Sequence, residues 1–529
     1  MTHPSRFGAG HRHPTSTRWD VKRLAGPNRL WGSNGVTFGP DGRLYVAQFL
    51  AGLISAVDLA SGDVETVVPM DGPVQSPDDL AFGQDGALYI TDLVPGRVWR
   101  RDPSGEYTLV SEEVLVPNGI ACVGDRLFVN EMRPGGRLLE LFPDGREPVV
   151  LTGGLAMGNA MQLGPDGCLY YPHMLTGQVH RIPLDGGPAE LVAEDVHEPV
   201  AVRFDRAGLL TVLSRGEAGI VTRIDLFGSG TRTVVPSGIA GLDNAAFDDE
   251  NRMFVSSFAS GGITELHPDG RTREVVPRGL DGPYGMAVDH AGTVYAADHY
   301  SLVRPDDDGE VTRDLLIFSH GIAADAGFLH VTSQYGDLRT YDPVQRTVRT
   351  RVRGLDLPMG VAARADGTLV VAEAGTGRIL AVDNDDAVTV LADGFGRPVD
   401  VAVDADDRCY VSDELRGALY RIDDGAAVSI VDGLEAPQGL AVRGDELFTV
   451  ETGRRRLVAV DLIGGTSRVE AENLAVGLPP GTSRVQPALL CHGLPGAPRL
   501  FAGLAVGPDG SLHLSADGEG SVLHLSRPG

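Results

Sequence analysis

The stretch GVTFGPDGRLYVAQF, residues 35–49, holds the phrase on which the chain is built. A run of small and apolar residues leads into an Asp-Gly turn, and a second apolar run follows. DLAFGQDGALYITDL from Asp79 and GMAVDHAGTVYAADH from Gly285 repeat the phrase, with an acid near the end. Twelve copies begin at Gly35, Asp79, Gly119, Ala160, Ala201, Asn244, Gly285, Gly321, Gly360, Asp400, Gly439 and Gly503. A sequence period near forty residues predicts the blades of a β-propeller.

Each repeat divides into four short strands. In the second copy these are DLAFG, ALYITD, RVWRRD and YTLVSE, separated by GQDG, VPG and PSGE. Leu88 and Ile90 alternate with Tyr89 and Thr91, as expected for a strand packed between two neighbouring blades. The Asp-Gly turns supply the positive φ that tight hairpins need. The pattern therefore predicts an all-β protein of four-stranded blades.

Twelve blades exceed the four to eight that one ring usually holds. We therefore predict two tandem six-bladed β-propellers, the first over residues 18–278 and the second over 279–529, after a flexible N-terminal tail at 1–17. The last repeat ends before a fourth strand. Residues 18–24 read as a spare strand that closes a ring, either the first ring or the incomplete last blade. A Pro/Gly-rich insertion at 469–500 predicts a loop over one face.

The amino-acid composition limits the kinds of partner that the chain is expected to bind. A formal charge of −27 argues against nucleic acid and against an anionic membrane surface. No run of eighteen apolar residues is present, so we expect no membrane span. The four cysteines are far apart, which favours reduced thiols and a cytoplasmic protein. We expect a monomer or weak homo-oligomer that acts on a small-molecule substrate.

The residue before each repeat start should face the central channel. In the first ring these residues are Asn34, Asp78, Asn118, Asn159, Val200 and Asp243, and Asp79 and Asn244 follow two of them. Side-chain oxygens that converge on one axis suit a hard divalent cation, calcium above all, with magnesium and zinc as alternatives. The alternative is that these Asn and Asp residues only favour the turn before a strand and bind no cation. We predict metal ligands at Asn34, Asp78, Asn118, Asn159 and Asp243, and substrate contacts at Asp79 and Asn244.

The repeats resemble NHL repeats and the calcium-dependent propellers of gluconolactonases and senescence marker protein. Pro117-Asn118-Gly119 matches the PNG motif of that superfamily. The resemblance implies a metal held by one Glu, two Asn and one Asp, for which Asn118, Asn159 and Asp243 are the matching residues. The N-terminal Glu of the family's EGP-type motif is missing, and Asn34 occupies the comparable place.

The channel positions of the second ring are mostly uncharged. They are Tyr284, His320, Met359, Val399, Gln438 and Ala502. GPYGMAV from Gly282 and SHGIA from Ser319 resemble phrases of virginiamycin B lyase, in which histidines remove a proton. The resemblance implies that His320 is a general base, although one buried histidine is more often a packing residue. Tyr284, Gln438 and His299 are the predicted substrate contacts of this ring.

Acids end the second strand of many repeats in both rings. They are Asp92, Glu131, Asp298, Glu373, Asp413, Glu451 and Asp517. Because the position recurs everywhere, we predict a structural hydrogen bond to a neighbouring turn rather than catalysis. Gln48 and His173 replace the acid in two copies, and His173 is a candidate proton carrier beside Asp243.

Two classes of function remain open. The leading hypothesis is a metal-assisted enzyme that opens a lactone or ester by hydrolysis or elimination, with catalytic candidates His173, His320 and Asp243. The alternative is a non-catalytic scaffold that binds a protein or ligand. A biosynthetic cyclase or lyase in which one ring is structural is an intermediate possibility.

Overall fold

The computed structural model describes residue 6 and residues 13–306, 308–478, 490–491 and 494–528. Their regular structure consists of β-strands, and the all-β prediction is confirmed. Among these residues no helix exists that is long and apolar enough to cross a membrane. The strands form twelve antiparallel four-stranded sheets and one short two-stranded pair.

Six sheets, blades 1 to 6, make the first ring, and each is formed by four consecutive strands. After β1 (Asp20–Ala25), the strands are β2 (Ser33–Phe38), β3 (Leu44–Gln48), β4 (Leu53–Val57) and β5 (Val64–Val68); β6 (Pro77–Phe82), β7 (Leu88–Asp92), β8 (Arg97–Arg101) and β9 (Tyr107–Ser111); β10 (Pro117–Val123), β11 (Arg126–Glu131), β12 (Pro134–Leu141) and β13 (Val149–Ala156); β14 (Gln162–Leu163), β15 (Cys168–His173), β16 (Gln178–Pro183) and β17 (Glu190–Ala193); β18 (Pro199–Phe204), β19 (Leu210–Ser214), β20 (Ile220–Ile224) and β21 (Arg232–Pro236); β22 (Leu242–Phe247), β23 (Met253–Ser257), β24 (Ile263–Leu266) and β25 (Thr272–Val276).

The other six sheets, blades 7 to 12, make the second ring. Their strands are β26 (Met286–Val288), β27 (Val294–Ala297), β28 (His299–Pro305) and β29 (Val311–Ser319); β30 (Ile322–Ala324), β31 (Leu329–Ser333), β32 (Asp337–Asp342) and β33 (Thr347–Val352); β34 (Pro358–Ala363), β35 (Leu369–Glu373), β36 (Arg378–Val382) and β37 (Val388–Ala392); β38 (Pro398–Val403), β39 (Cys409–Asp413), β40 (Ala418–Asp423) and β41 (Ala426–Val431); β42 (Pro437–Arg443), β43 (Glu446–Glu451), β44 (Arg456–Asp461) and β45 (Ser467–Ala471); then, after β46 (Leu490–Cys491) and β47 (Leu494–Pro495), β48 (Leu504–Val506), β49 (Leu512–Ala516) and β50 (Ser521–Ser526).

The two rings close in different ways. In the first, inner strand β2 of blade 1 packs directly against β22 of blade 6, and an apolar cluster that includes Val36, Val46, Phe254 and Ile263 fills the seam. In the second, β1 pairs antiparallel with β50 and supplies the fourth strand of blade 12. Of the two alternatives for residues 18–24, the structure therefore has the pairing with the last blade.

This pairing corrects the predicted domain ranges. The chain divides into two compact units, one containing Leu30–Arg278 and the other containing the residues before Leu30 and the blades that follow Gly279. The range 18–278 for the first ring therefore begins too early, because residues 20–25 make their backbone hydrogen bonds with β50.

The predicted flexible tail 1–17 lies mostly outside the described residues. Where it is described, Thr15 exchanges two backbone hydrogen bonds with Glu472, and the Ser16 hydroxyl donates to the Glu470 carbonyl at 2.6 Å. Arg6 is buried and donates to backbone carbonyls of residues 280–282. These described parts are anchored because their polar groups bond to the second ring.

The predicted insertion 469–500 begins after Ala471, since β45 extends to that residue. Residues 479–489 and 492–493 lie outside the described residues. Leu490–Cys491 pairs with Leu494–Pro495, and the chain then reaches the inner strand of blade 12.

The acid that ends the second strand of a blade holds the loop before that blade's inner strand, as predicted. Its carboxylate accepts a backbone N–H of this loop in seven blades: Asp92 from Ser76 at 2.7 Å, Glu131 from Leu115 at 3.1 Å, Asp298 from Asp281 at 3.1 Å, Glu373 from Asp356 at 2.9 Å, Asp413 from Arg397 at 2.9 Å, Glu451 from Glu435 at 2.8 Å and Asp517 from Gly477 at 2.9 Å. Gln48 does the same with its side-chain oxygen for the Trp31 amide at 2.7 Å. In these blades, except blade 12, the bonded amide lies shortly before the inner strand, and the bond therefore fixes where that strand starts.

Deleting residues 1–25 should destabilise blade 12 more than the other blades. The deletion exposes the edge of β50 and removes the buried side chains Trp19 and Leu24. Hydrogen exchange followed by mass spectrometry should show the largest loss of protection in β48–β50. Unchanged protection there would contradict the role of β1.

Replacing Asp413 with Ala should lower the local free energy of opening by about 1–3 kcal/mol, because the part-buried Gly396 and Arg397 amides lose their acceptor. Hydrogen exchange of these two amides measures it. The control Asp406→Ala removes an acid that is 74% exposed and should cost less than about 1 kcal/mol.

Candidate functional site

The inner strands of the first ring begin at one end of its channel, because every blade repeats the same strand order. Close packing there explains the glycine of the PNG motif: a Cβ on Gly119 would collide with the carbonyl oxygen of Asn159. We call the first residues of these strands and the turns beside them the first funnel.

Three predicted residues of the first funnel lie together. Asn34 donates from Nδ2 to Asp78 Oδ2 at 3.5 Å, and both side chains are buried. Burial raises the pKa of Asp78 well above its usual range, and the negative charges of Asp243 and Asp79 add to this. Burial also raises the pKa of Asp243 to about 7. Two carboxyl groups thus occupy one poorly solvated space.

Asn118 and Asn159 meet at a residue that the sequence did not single out. Both donate from Nδ2 to Met132 Sδ, at 3.1 and 3.4 Å. The Asn159 side-chain oxygen accepts the Ala160 N–H at 2.7 Å. The pair is therefore oriented by the thioether of Met132.

Asp79 and Asn244, the predicted substrate contacts, belong to a buried network that joins the blades. Asp79 accepts hydrogen bonds from the backbone of Leu80 at 3.0 Å and Ile120 at 3.3 Å, and from Asn244 Nδ2 at 2.9 Å. Asn244 Oδ1 accepts from the guanidinium of Arg203. Both side chains are about 1% exposed, so they serve the framework beneath the funnel.

Arg203 is the cation of this network and bonds to its own blade and to both neighbouring blades. Its guanidinium donates to the carbonyls of Ala245 at 2.8 Å, Met161 at 3.1 Å and Val202 at 2.9 Å. Beyond it, the opposite end of the channel opens into a cavity of 650 Å³ that Arg203 also lines. Burial and the charge of Asp79 raise the pKa of Asp243, and the charges of Arg215 and Arg203 oppose this rise. At Asp78 the charges of Asp243 and Asp79 add to the effect of burial on the pKa.

The donor set of the first funnel fits a hard cation. In the described part of the chain, the buried oxygens Asn34 Oδ1 and Asn118 Oδ1 have no hydrogen-bond partner. They lie in the same funnel as the carboxylates of Asp78 and Asp243. No group of three or more His, Cys, Asp and Glu side chains within the described ranges is placed to hold a metal ion. A cation here would thus depend on amide oxygens as well as carboxylates.

His173 lies at the side of blade 4 rather than with these acids. Its ring stacks on His180 with centroids 4.2 Å apart, and Tyr171 follows at 5.6 Å. Tyr171 belongs to the apolar cluster between blades 3 and 4. Burial and His180 lower the pKa of His173 to about 4. The ring contacts of His173 are thus with His180 and Tyr171, and its role as a proton carrier beside Asp243 stays a prediction.

His320 in the second ring is held between two aromatic rings. Tyr284 stacks on it at 4.9 Å and Phe501 at 5.5 Å, both within 20° of parallel. His320 Nε2 is 2.9 Å from the Arg499 carbonyl oxygen. Burial lowers the pKa of His320 to about 4. The ring is neutral near pH 7 and is a packed, hydrogen-bonded side chain.

The chain itself fills the corresponding region of the second ring, which we call the second funnel. Tyr284, Met359, Val399 and Phe501 form one apolar cluster, against which Leu500 packs. Two glutamines fasten the incoming segment: Gln334 Oε1 accepts the Arg499 N–H at 2.9 Å, and Gln438 Oε1 accepts the Ala502 N–H at 2.8 Å. The predicted substrate contacts Tyr284 and Gln438 therefore bind residues 499–502.

His299 is buried in an aromatic group beside this funnel. Its ring contacts Tyr300 at 4.4 Å, Phe318 at 5.7 Å and Tyr284 at 6.4 Å. Burial lowers the pKa of His299 to about 3. His299 therefore contacts other rings, including that of the next residue, Tyr300, and its role as a substrate contact stays a prediction.

Sequence reasoning missed Met132, Arg203 and the segment 499–502. Arg203 had a signal, because it interrupts an inner strand where the other copies carry small, apolar or uncharged residues. Met132 had none, since its role depends on two side chains from different blades. Arg499 and Phe501 belong to an irregular connection for which the repeat gives no register.

The fold and the first funnel define a class: a tandem-propeller chain in which one channel carries an oxygen-rich, acidic site. No family model matches the sequence. The chain is similar to a gluconolactonase of Zymomonas mobilis, with 28% identity over 250 residues, which cover 46% of this chain and 54% of the relative. The chain thus spans about half the length of the curated relative that it matches. This similarity confirms the resemblance to gluconolactonases.

Two solved structures are also similar. A streptogramin B lyase covers 56% of this chain and 98% of its own, with 16% identity and a TM-score of 0.40. A putative gluconolactonase covers 50% of this chain and 99% of its own, with 17% identity and a TM-score of 0.38.

Replacing His320 with Phe should reduce the loss of unfolding free energy that accompanies a fall in pH. In the wild type, the unfolded chain binds a proton at His320 below about pH 6.5, while the folded chain does so only near pH 4. Stability is therefore lost as the pH falls through this window, by about 1.5–2 kcal/mol between pH 6.5 and 5. Urea unfolding of both proteins at several pH values measures the difference.

The control His290→Phe removes an exposed histidine from a turn of blade 7 and should keep the wild-type slope. If His320→Phe also kept that slope, His320 would titrate alike in both states, as a solvent-accessible general base would.

Proposed function

We propose that the chain is a lactonase-like hydrolase and that its first funnel is the active site. The observation that carries the proposal is the pair of buried carboxyl groups, Asp78 and Asp243, beside the partnerless amide oxygens of Asn34 and Asn118. Framework groups rarely stay so poorly satisfied without a ligand. The similarity to a gluconolactonase supports the reaction class.

A divalent cation, calcium by preference, is the proposed cofactor. Asn118, Asn159 and Asp243 would hold it, with Asp78 and Asn34 completing the oxygen set. When bound, the cation polarises the carbonyl of the substrate. The carboxylates of Asp78 and Asp243 would balance the charge of the cation. Asn34, at the blade 1 position, is uncharged and would not do so alone.

The chain's own residues would carry the proton. A carboxylate of the Asp78 and Asp243 pair accepts a proton from water as the water oxygen bonds to the acyl carbon. The bond between the acyl carbon and the ring oxygen then breaks, and the same proton passes to the departing oxygen. The product is a hydroxy acid. Arg203 and Asn244 act from beneath by fixing Asp79 and the start of the inner strands.

The second ring would be structural in this proposal. Phe501, Leu500 and the clamped backbone of Arg499 occupy the place that a substrate would need. Its candidate base, His320, contacts that segment. This arrangement favours the version in which one ring is catalytic.

The alternative remains a non-catalytic scaffold. It predicts that the purified protein carries no cation and binds one stable partner. The most exposed large apolar side chains, Val344, Leu415 and Ile463, lie on three different blades. This distribution gives the scaffold hypothesis less support than the enzyme hypothesis.

Replacing Asp243 with Ala or Asn118 with Ala should weaken calcium binding at least about 100-fold and remove lactone hydrolysis. Isothermal titration with calcium measures the first effect, and acid release from a lactone measures the second. Asn118→Asp keeps an oxygen donor and should retain calcium binding, which separates ligand loss from misfolding.

Val399→Thr is the matched control in the second ring, because Val399 precedes a repeat start as Asp78 does. It should change neither measurement. Calcium binding that survives in both alanine variants would overturn the proposed site.

A further inference from the structure

We propose that the substrate of the first funnel is a lactone or ester with an apolar chain rather than a polyhydroxylated sugar lactone. The inference rests on the proposed function and concerns the wall of the funnel, not its acidic centre. We define this wall by the side chains that contact the predicted ligand residues or one another there: Met132, Met157, Met174, Val200, Phe258 and Arg215.

Methionine is concentrated in this wall. Three of the nine methionines of the chain lie in the turns of blades 3 and 4 next to the predicted ligand residues. Met132 contacts the amides of Asn118 and Asn159 directly. Met174 and Met157 belong to the apolar cluster of Val200, which is the one funnel position without a polar side chain. The funnel therefore has an acidic side and an apolar side.

The apolar side continues into blade 6. Arg215 reaches Met174 Sδ at 3.7 Å and lies over the Phe258 ring at 5.8 Å. The same guanidinium acts on Asp243, since its charge lowers the pKa of that carboxyl. Arg215 thus links the thioether and phenyl surface to the acidic centre. A substrate carbonyl at the centre would place its chain along Met174 and Phe258.

The methionine, valine and phenylalanine side chains of this wall select against sugar hydroxyls. Each hydroxyl that loses water needs a hydrogen-bond partner, and thioether sulfur is a weak acceptor and no donor. An alkyl chain needs no partner and gains from leaving water, by a factor of about three to four per methylene. The flexible methionine side chains adapt to chains of different length.

A series of lactones tests the inference on the full chain with calcium present. D-glucono-δ-lactone, δ-valerolactone, δ-octalactone and δ-decanolactone differ in hydroxyls and in the length of the alkyl chain. We expect kcat/KM to rise about threefold or more per methylene and to be lowest for the sugar lactone. Met132→Gln and Met174→Gln should flatten this dependence, while Leu415→Gln, an exposed residue in the matching turn of blade 10, should not.

Binding of non-hydrolysable lactams gives a readout apart from activity. 6-Pentyl-2-piperidone should bind more tightly than 2-piperidone by isothermal titration, and Met174→Gln should remove the difference. Hydrolysis confined to the sugar lactone would overturn the inference and leave the proposed function standing. Tight binding of the alkyl lactam without hydrolysis of any lactone would overturn the proposed function and leave the apolar wall as a binding surface. Equal binding of both lactams would overturn the inference whatever the activity.

Discussion

The hydrogen bond from a loop amide to the side chain that ends the second strand orders eight of the twelve described blades. A buried backbone N–H without an acceptor costs about as much as a good hydrogen bond gains, so the loop must find one. The carboxylate of Asp92 or Asp413 provides it and fixes the residue at which the inner strand begins. With that start fixed, the preceding side chain faces the channel. In blades 1 to 3 the funnel positions Asn34, Asp78 and Asn118 thus depend on this framework bond.

The rings use this common frame in opposite ways. In the first, Asp78, Asp243 and the amides of Asn34 and Asn118 are buried with little compensation, which lowers stability unless a ligand offsets it. In the second, the same positions carry Tyr284, Met359 and Val399, and Phe501 packs among them. A channel packed in this way gains stability and leaves no room for a substrate. The contrast separates a ring whose channel holds buried polar groups from a ring whose channel is packed with apolar side chains.

The fold could be predicted from the sequence because each repeat states its own strands and turns. Twelve sheets and the structural role of the acids followed from one phrase, as Glu131 and Glu451 illustrate. The candidate site was predictable only as a set of positions. That Asn118 and Asn159 share Met132, or that Asp79 belongs to the network of Arg203, depends on side-chain directions across blades. The choice of ring closed by residues 18–24 was also open, since a spare strand fits any free edge.

Because β1 pairs with β50, the sequence of the first ring is inserted between β1 and the other strands of the second ring. The chain of the second ring is interrupted after Arg29 and resumes at Gly279, and Asn28 Nδ2 donates to the Leu280 carbonyl at 3.0 Å. During synthesis β1 emerges before any blade, and its partner emerges after all of them. All strands of the first ring have been synthesised by Val276, whereas blade 12 of the second ring is complete only when β50 has been synthesised near the end of the sequence. Folding of the two rings is therefore ordered by their connectivity, and the ring that carries the acidic funnel is complete first.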